Sequence, residues 1–103
     1  MAKVVLEQSF EQPISEEDYG RFAARLDPCL EVRNGCWVRS YFSKDRRRCI
    51  CEFEAPDAES VRDALRLADI PFDRVWSSDV YAVEEYPPML KKLEELRKKL
   101  AAG

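Results

Sequence analysis

Histidine is absent from this chain of 103 residues. Histidine is the side chain that most often acts as a general base near neutral pH, and it is the commonest protein ligand of transition metals. Its absence excludes Ser-His-Asp and Cys-His catalytic arrangements. Any acid–base chemistry must therefore use carboxylates, tyrosines, lysines or cysteines.

Long apolar segments and an excess of basic charge are also missing. No run approaches the roughly 18 consecutive apolar residues that a membrane-spanning helix needs. The net charge is −3, whereas nucleic-acid binders usually present a basic face. The one basic cluster, Lys44 to Arg48, lies at a predicted turn. We expect a soluble cytoplasmic protein that binds neither membranes nor nucleic acids.

The four cysteines, Cys29, Cys36, Cys49 and Cys51, lack the paired CxxC spacing of a zinc site. Thiols in an intracellular chain are more often free and apolar in behaviour than bridged. Cys49 and Cys51 are two residues apart in a predicted strand, so both sulfurs face the same side. This favours two small core residues over metal or redox chemistry, and we expect no metal site and no cofactor.

Hydrophobic periodicity and capping signals divide the chain into seven elements. Ser15 and Asp57 are predicted N-caps, and the first helix should end before Pro28. The polar loop 43–47 should close a hairpin. The predicted strands cover residues 3–10, 36–42, 48–54 and 74–83, and the predicted helices cover residues 15–27, 57–68 and 89–101.

The element order is βαββαβ followed by a helix, which is typical of the ferredoxin-like arrangement. We therefore predict an α+β fold with a four-stranded antiparallel sheet, two helices on one face, and the first and third strands at the centre. The length suits one compact domain. Residues 1–84 should form it, and residues 85–103 should form a C-terminal helical extension.

The extension carries Met89, Leu93, Leu96 and Leu100 at spacings of four, three and four. Two heptads are too short to form a coiled coil alone. Three positions stay open for this helix: along its own domain, against a partner subunit, or on a different protein.

Two helices can cover only one face of the sheet, so the other face needs a separate account. Strand alternation turns one set towards the helices, namely Leu6, Val38, Phe42, Cys49, Cys51 and Phe53. It turns the opposite set away, namely Val5, Glu7, Trp37, Arg39, Tyr41, Ile50 and Glu52. From the fourth strand we favour Ser77, Asp79 and Tyr81 on this open face over Trp76, Ser78 and Val80.

An open face with several large apolar side chains is unfavourable in water, so we expect a homodimer in which two sheets enclose a space. Arg39 would either pair with a glutamate and fix the strand register, or help to form a polar floor, ringed by aromatic side chains, that holds a small ligand or a metal. The predicted ligand-binding residues are Glu7, Trp37, Arg39, Tyr41, Glu52 and Asp79.

The leading hypothesis is a small-ligand-binding dimer, and whether the protein is an enzyme stays open. A second hypothesis is a cofactor-free isomerase or monooxygenase in which Glu7 or Glu52 is the base and Arg39 stabilises an enolate. A third is an interaction module that recruits a protein through the C-terminal helix. A fourth, a metal-binding protein, is weakened by the absence of histidine.

Residues 37–65, WVRSYFSKDRRRCICEFEAPDAESVRDAL, and 70–76, IPFDRVW, resemble a family of small ferredoxin-like domains of unknown function that is associated with nickel-binding proteins. The most specific part is C-x-F-E-A-P-D-A-E-x-V at residues 51–61. The resemblance runs from about Val4 to Tyr81, and it implies a dimeric α+β barrel with a metal or small-ligand site. Metal-binding members carry histidines around the second helix, where this chain has Ala64 and Leu65, so nickel is not carried across.

Overall fold

The computed structural model describes residues 1–82 and 87–102. In chain order the elements are β1 (Ala2–Ser9), α1 (Glu16–Glu31), β2 (Cys36–Phe42), β3 (Arg48–Ala55), α2 (Ala58–Leu67), β4 (Arg74–Ser78) and α3 (Pro87–Ala102). The sheet has the order β2-β3-β1-β4, and its three strand pairs are antiparallel. The predicted ferredoxin-like α+β fold, with the first and third strands central, is confirmed. The predicted boundary between residues 84 and 85 lies outside the described residues.

The hydrophobic core lies between one face of the sheet and the helices α1 and α2. The sheet contributes alternate residues of its two central strands, which is the period-two pattern of a half-covered sheet. Full burial of one large aliphatic or aromatic side chain contributes about 1.5–3 kcal/mol. The most deeply buried side chains are Val4, Leu6, Leu30, Cys49, Cys51, Phe53, Val61 and Leu65.

Both core helices begin at the predicted caps. The Ser15 hydroxyl accepts a hydrogen bond from the Asp18 backbone N–H at 3.1 Å. The Asp57 carboxylate accepts one from the Ser60 N–H at 2.7 Å. Each cap satisfies a backbone donor that the first turn of a helix leaves free.

The predicted end of the first helix before Pro28 is wrong, because α1 continues through Pro28 to Glu31. A proline inside a helix removes one backbone hydrogen bond. Continuing the helix places Leu30 in the core, where it is 2% exposed. The chain then turns at Asn34, which adopts a left-handed backbone with φ of 58°, a conformation that asparagine tolerates.

A bulge in β2 overturns part of the predicted strand alternation. Trp37 pairs with Phe53 and Arg39 pairs with Glu52, so Val38 is an extra residue in the ladder. Trp37 consequently lies on the helix side of the sheet, where its ring is 5.5 Å from that of Tyr19. The expectation that Trp37 points away from the helices, and that Val38 points towards them, is wrong.

The fourth strand is shorter than predicted and has the opposite alternation. β4 ends at Ser78, and Val75 is the residue that it buries. Trp76 pairs with Val5 and Ser78 pairs with Lys3, so Trp76 and Ser78 lie on the open face. The preference for Ser77, Asp79 and Tyr81 there is wrong, because burial of Val75 under the helices sets the alternation.

The C-terminal helix α3 has no buried residue. Met89 and Leu93 are half-buried, whereas Leu96 and Leu100 are exposed. Within residues 1–82 and 87–102, the helices are too short or too polar to cross a membrane.

Candidate functional site

The sheet surface that faces away from α1 and α2 is the candidate functional site, and we call it the open face. Its residues follow from the strand register, because directly paired residues point to the same side of a sheet. One cross-strand row is Tyr41, Ile50, Glu7 and Arg74, and the next row is Arg39, Glu52, Val5 and Trp76. Lys3, Glu54 and Ser78 form part of a third row.

Three large side chains of the open face are substantially exposed. Tyr41 is 52% exposed, Ile50 is 41% exposed and Trp76 is 44% exposed. They occupy two adjacent rows, and strand β1, with Val5 and Glu7, lies between Ile50 and Trp76. Several exposed apolar side chains on one face are typical of an interaction or ligand surface.

Glu7 and Trp76 are joined across neighbouring strands. The indole Nε1 of Trp76 donates a hydrogen bond to Oε2 of Glu7 at 2.9 Å. Glu7 lies on the central strand β1 and is half-buried. The hydrogen bond ties the indole to the central strand, while 44% of the Trp76 residue surface stays exposed for contact with another molecule.

Arg39 and Glu52 form the polar part of the second row. Nε of Arg39 lies 3.0 Å from Oε2 of Glu52, and the two side chains are 61% and 35% exposed. An ion pair this exposed to water contributes only about 0.2–1 kcal/mol. Lys3 pairs with Glu54 nearby and lowers the pKa of that carboxyl.

Two cavities lie at the ends of the open face. One has a volume of about 270 Å³ and is lined in part by Val5, Val38, Arg39, Glu52 and Val80. The other has a volume of about 360 Å³ and is lined in part by Glu7, Tyr41, Arg48, Ile50 and Asp73. Their volumes are close to the lower limit for small-molecule pockets.

The structure brings together four of the six predicted ligand-binding residues. Glu7, Arg39, Tyr41 and Glu52 share the open face, and their role in binding stays a prediction. Trp37 lies on the helix side because of the bulge, and Asp79 lies beyond the end of β4. Sequence reasoning missed Trp76, although its position next to the buried Val75 was a usable signal.

The opposite side of the sheet contains a polar cluster within the core. Sγ of Cys51 lies 3.5 Å from Sγ of Cys49, 3.0 Å from the Ser40 hydroxyl and 3.1 Å from the Tyr19 hydroxyl. Hydrogen bonding by Cys49, Ser40 and Tyr19 lowers the pKa of Cys51 to about 7, despite burial. The pKa of Cys49 is raised, first by its hydrogen bond to Cys51 and then by burial. The cluster therefore favours negative charge on the Cys51 sulfur over the Cys49 sulfur.

Comparison with known proteins identifies a family and a solved structure to which this chain is similar. The family model described as "Nickel responsive protein SCO4226-like" matches residues 5–77. The crystal structure of SCO4226 from Streptomyces coelicolor A3(2) is similar, with a TM-score of 0.71 and 15% sequence identity. The similarity covers 79% of this chain and 100% of the SCO4226 chain, and at this identity it supports the fold alone. No curated protein matches the chain.

The family description raises the question of whether this chain can hold nickel. Across residues 1–82 and 87–102, no three His, Cys, Asp or Glu side chains are grouped as a nickel site would require. Histidine is absent altogether, and Ni²⁺ prefers several nitrogen or oxygen ligands in a tetragonal geometry. The described residues of one protomer do not fit a nickel site.

Proposed function

The chain belongs to the family of nickel-responsive proteins similar to SCO4226, and from this premise we propose that it is a small-ligand-binding protein whose ligand lies on the open face. The family description names a response to nickel and no reaction. The proposal therefore depends on the open face, where apolar and ionisable side chains are interleaved. The observation that carries it is the exposed Trp76 ring held in place by Glu7.

The open face suits coverage by a second copy of this chain. Its charges are nearly balanced, with four basic and three acidic side chains: Lys3, Arg39, Arg48, Arg74, Glu7, Glu52 and Glu54. In a symmetric dimer the same patch meets itself, so acidic groups of one copy can lie opposite basic groups of the other. Coverage would also remove Ile50 and Trp76 from water.

A ligand held between two such faces would contact both apolar and polar groups. Trp76 and Tyr41 offer aromatic surfaces for a flat or aliphatic part of the ligand. Arg39 can donate to an anionic or carbonyl group, and Glu7 can accept from a hydroxyl or amine. A small amphipathic organic molecule is the chemical class that this combination favours.

The alternative of a cofactor-free enzyme stays a prediction. Its proposed bases are Glu7 and Glu52, and each already has a partner within its own protomer. Trp76 donates to Glu7, and Arg39 pairs with Glu52. A base would have to exchange that partner for substrate, so ligand binding is the simpler proposal.

Native mass spectrometry of the full-length protein, purified from its own source, tests the proposal. The wild type should appear as a dimer with an added small-molecule mass. Ile50→Arg places a charge in the centre of the open face, and it should give a monomer without the added mass. Leu67→Arg is the matched control, because Leu67 is 65% exposed on α2, away from the open face.

Two results would contradict the proposal. One is a wild-type protein that is monomeric and carries no added mass. The other is an Ile50→Arg variant that keeps both the dimer and the ligand, because the open face would then be irrelevant to them.

A further inference from the structure

The thiols of Cys49 and Cys51 are adjacent in the core, on the side of the sheet opposite the proposed ligand site. Both project from β3 towards the helices, and each is 2% exposed. Their sulfurs are 3.5 Å apart. Cys29 and Cys36 are more accessible, so the chain separates one buried thiol pair from two outer thiols.

Two hydroxyl groups lie within hydrogen-bond distance of the Cys51 sulfur. Ser40 donates to Sγ of Cys51 at 3.0 Å, and the Tyr19 hydroxyl lies 3.1 Å from the same sulfur. Trp37 donates from Nε1 to the Ser40 hydroxyl at 2.9 Å, and the Tyr19 hydroxyl lies 2.7 Å from the same oxygen. Hydrogen bonds to a cysteine sulfur can stabilise a thiolate and orient a metal ligand.

We propose that Cys49 and Cys51 together bind one monovalent thiophilic cation of the copper(I) class. Soft thiolate ligands select soft cations such as Cu(I), and a two-coordinate ion needs only the two sulfurs that this site supplies. Metal–sulfur bonds of about 2.3 Å would require the sulfurs to separate by about 1 Å. Rotation about the Cys side-chain bonds supplies that change.

The geometry favours a bridging cation over a disulfide. Residues two apart in a strand have Cα atoms separated by about 6.6–6.8 Å, which is at the upper limit for a disulfide. A cation between the sulfurs lengthens the bridge and relieves that constraint. The two-sulfur donor set also distinguishes the site from a nickel site, which needs more ligands.

The binding step balances in protons and charge. Two S–H bonds are replaced by two S–Cu(I) bonds, and two protons pass to solvent, with no change in the oxidation state of sulfur or copper. The bound unit carries one net negative charge in the core. The positive charge of Arg46, which acts on Cys49, partly offsets it.

A small cavity reaches Cys51 beside Tyr19 and Trp37. These two rings and Cys51 line a cavity of about 20 Å³ between α1 and the sheet, which is enough space for one water-sized species. Trp37 is 36% exposed. Movement of its ring would connect the cavity with solvent.

Anaerobic transfer of Cu(I) from its purple complex with the chelator bicinchoninate tests the site, because transfer removes the colour. The background protein is Cys29→Ser/Cys36→Ser, which removes the outer thiols and keeps the pair. It should take one Cu(I) per chain from the chelator. The same protein with Cys49→Ala should take none, and circular dichroism will report whether that variant is folded.

Two further variants keep both thiols and remove only a surrounding hydroxyl. Tyr19→Phe and Ser40→Ala, each on the background protein, should weaken Cu(I) affinity by about tenfold. These two variants test whether Cu(I) binds at the thiol pair even if Cys49→Ala does not fold. The proposal is overturned if the background protein leaves Cu(I) on the chelator, if folded Cys49→Ala binds as tightly, or if both hydroxyl variants bind unchanged.

Discussion

The indole of Trp76 donates its hydrogen bond to Glu7 across the β4–β1 pair, at 2.9 Å. This contact places the largest ring of the open face over the central strand. If a second copy covers the face, Trp76 becomes part of the interface, where buried tryptophan often dominates binding energy.

Trp76→Ala should therefore weaken dimer formation by at least tenfold, whereas Trp76→Phe should weaken it less because most of the ring surface remains. Sedimentation velocity over a range of protein concentrations measures the dissociation constant. Leu67→Ala serves as the control for an exposed residue outside the open face. Equal dimer affinity for Trp76→Ala and the wild type would contradict the placement of Trp76 in the dimer interface.

Arg39 and Glu52 should be more strongly coupled than their exposure in a single protomer suggests. An ion pair in water has a coupling energy of about 0.2–1 kcal/mol, and coverage by a second copy raises it because charges interact more strongly away from water. A double-mutant cycle with Arg39→Ala and Glu52→Ala, measured on dimer dissociation, should give more than about 1.5 kcal/mol. A value under about 0.5 kcal/mol would mean that this pair stays in water.

Alanine substitutions at Leu65 and Leu67 test how α2 packs against the sheet. Leu65 is fully buried and Leu67 is 65% exposed. Leu65→Ala should lower the free energy of unfolding by about 2–5 kcal/mol, whereas Leu67→Ala should change it by less than about 0.5 kcal/mol. Urea denaturation followed by circular dichroism measures both, and similar values for the two variants would be inconsistent with this packing.

The Asp57 cap should make α2 sensitive to acid. Hydrogen bonds from the Ser60 N–H and hydroxyl lower the pKa of Asp57 in the folded protein. A group with a lowered folded pKa stabilises the protein above its unfolded pKa, near 3.9, and loses that contribution as pH falls through the folded pKa.

Asp57→Asn keeps a capping side chain without the charge. The difference in thermal midpoint between wild type and this variant should therefore be constant from pH 7 to about pH 5 and should shrink below about pH 4. Calorimetry at several pH values measures it. A difference that stays the same down to pH 2 would show that the carboxylate charge has no part in the cap.

Deletion of residues 87–103 should leave a folded domain. No residue of α3 is buried, and the core is built from the sheet, α1 and α2. The shortened chain should keep its far-ultraviolet spectrum, apart from the lost helix, and should unfold within a few degrees of the full chain. Loss of cooperative unfolding would mean that α3 is part of the core.

Local signals in the sequence predicted the features that depend on neighbouring residues. The caps at Ser15 and Asp57 were predictable because each side chain satisfies a donor three residues away. The alternation of Cys49, Cys51 and Phe53 was predictable because one apolar face repeats every second residue. These features, with the element order, were enough for the fold.

Features set by distant contacts were not predictable from local pattern. Helix α1 continues through Pro28, and this continuation allows Leu30 to be buried in the core. Trp37 lies on the helix side of the sheet because Val38 is an extra residue where β2 pairs with β3. Trp76 reaches the open face because Val75 is buried. Strand pairing sets the side of the sheet on which Trp37 and Trp76 lie, and β4 ends before Asp79. Two of the six predicted ligand-binding residues, Trp37 and Asp79, were therefore misplaced.

A crystal structure of the protein purified from its own source tests the central claim most directly. We predict two copies with their sheets face to face, and electron density for a small molecule in contact with Trp76, Tyr41 and Arg39. A single copy whose Glu7, Arg39 and Trp76 side chains meet only solvent would contradict the proposed ligand site.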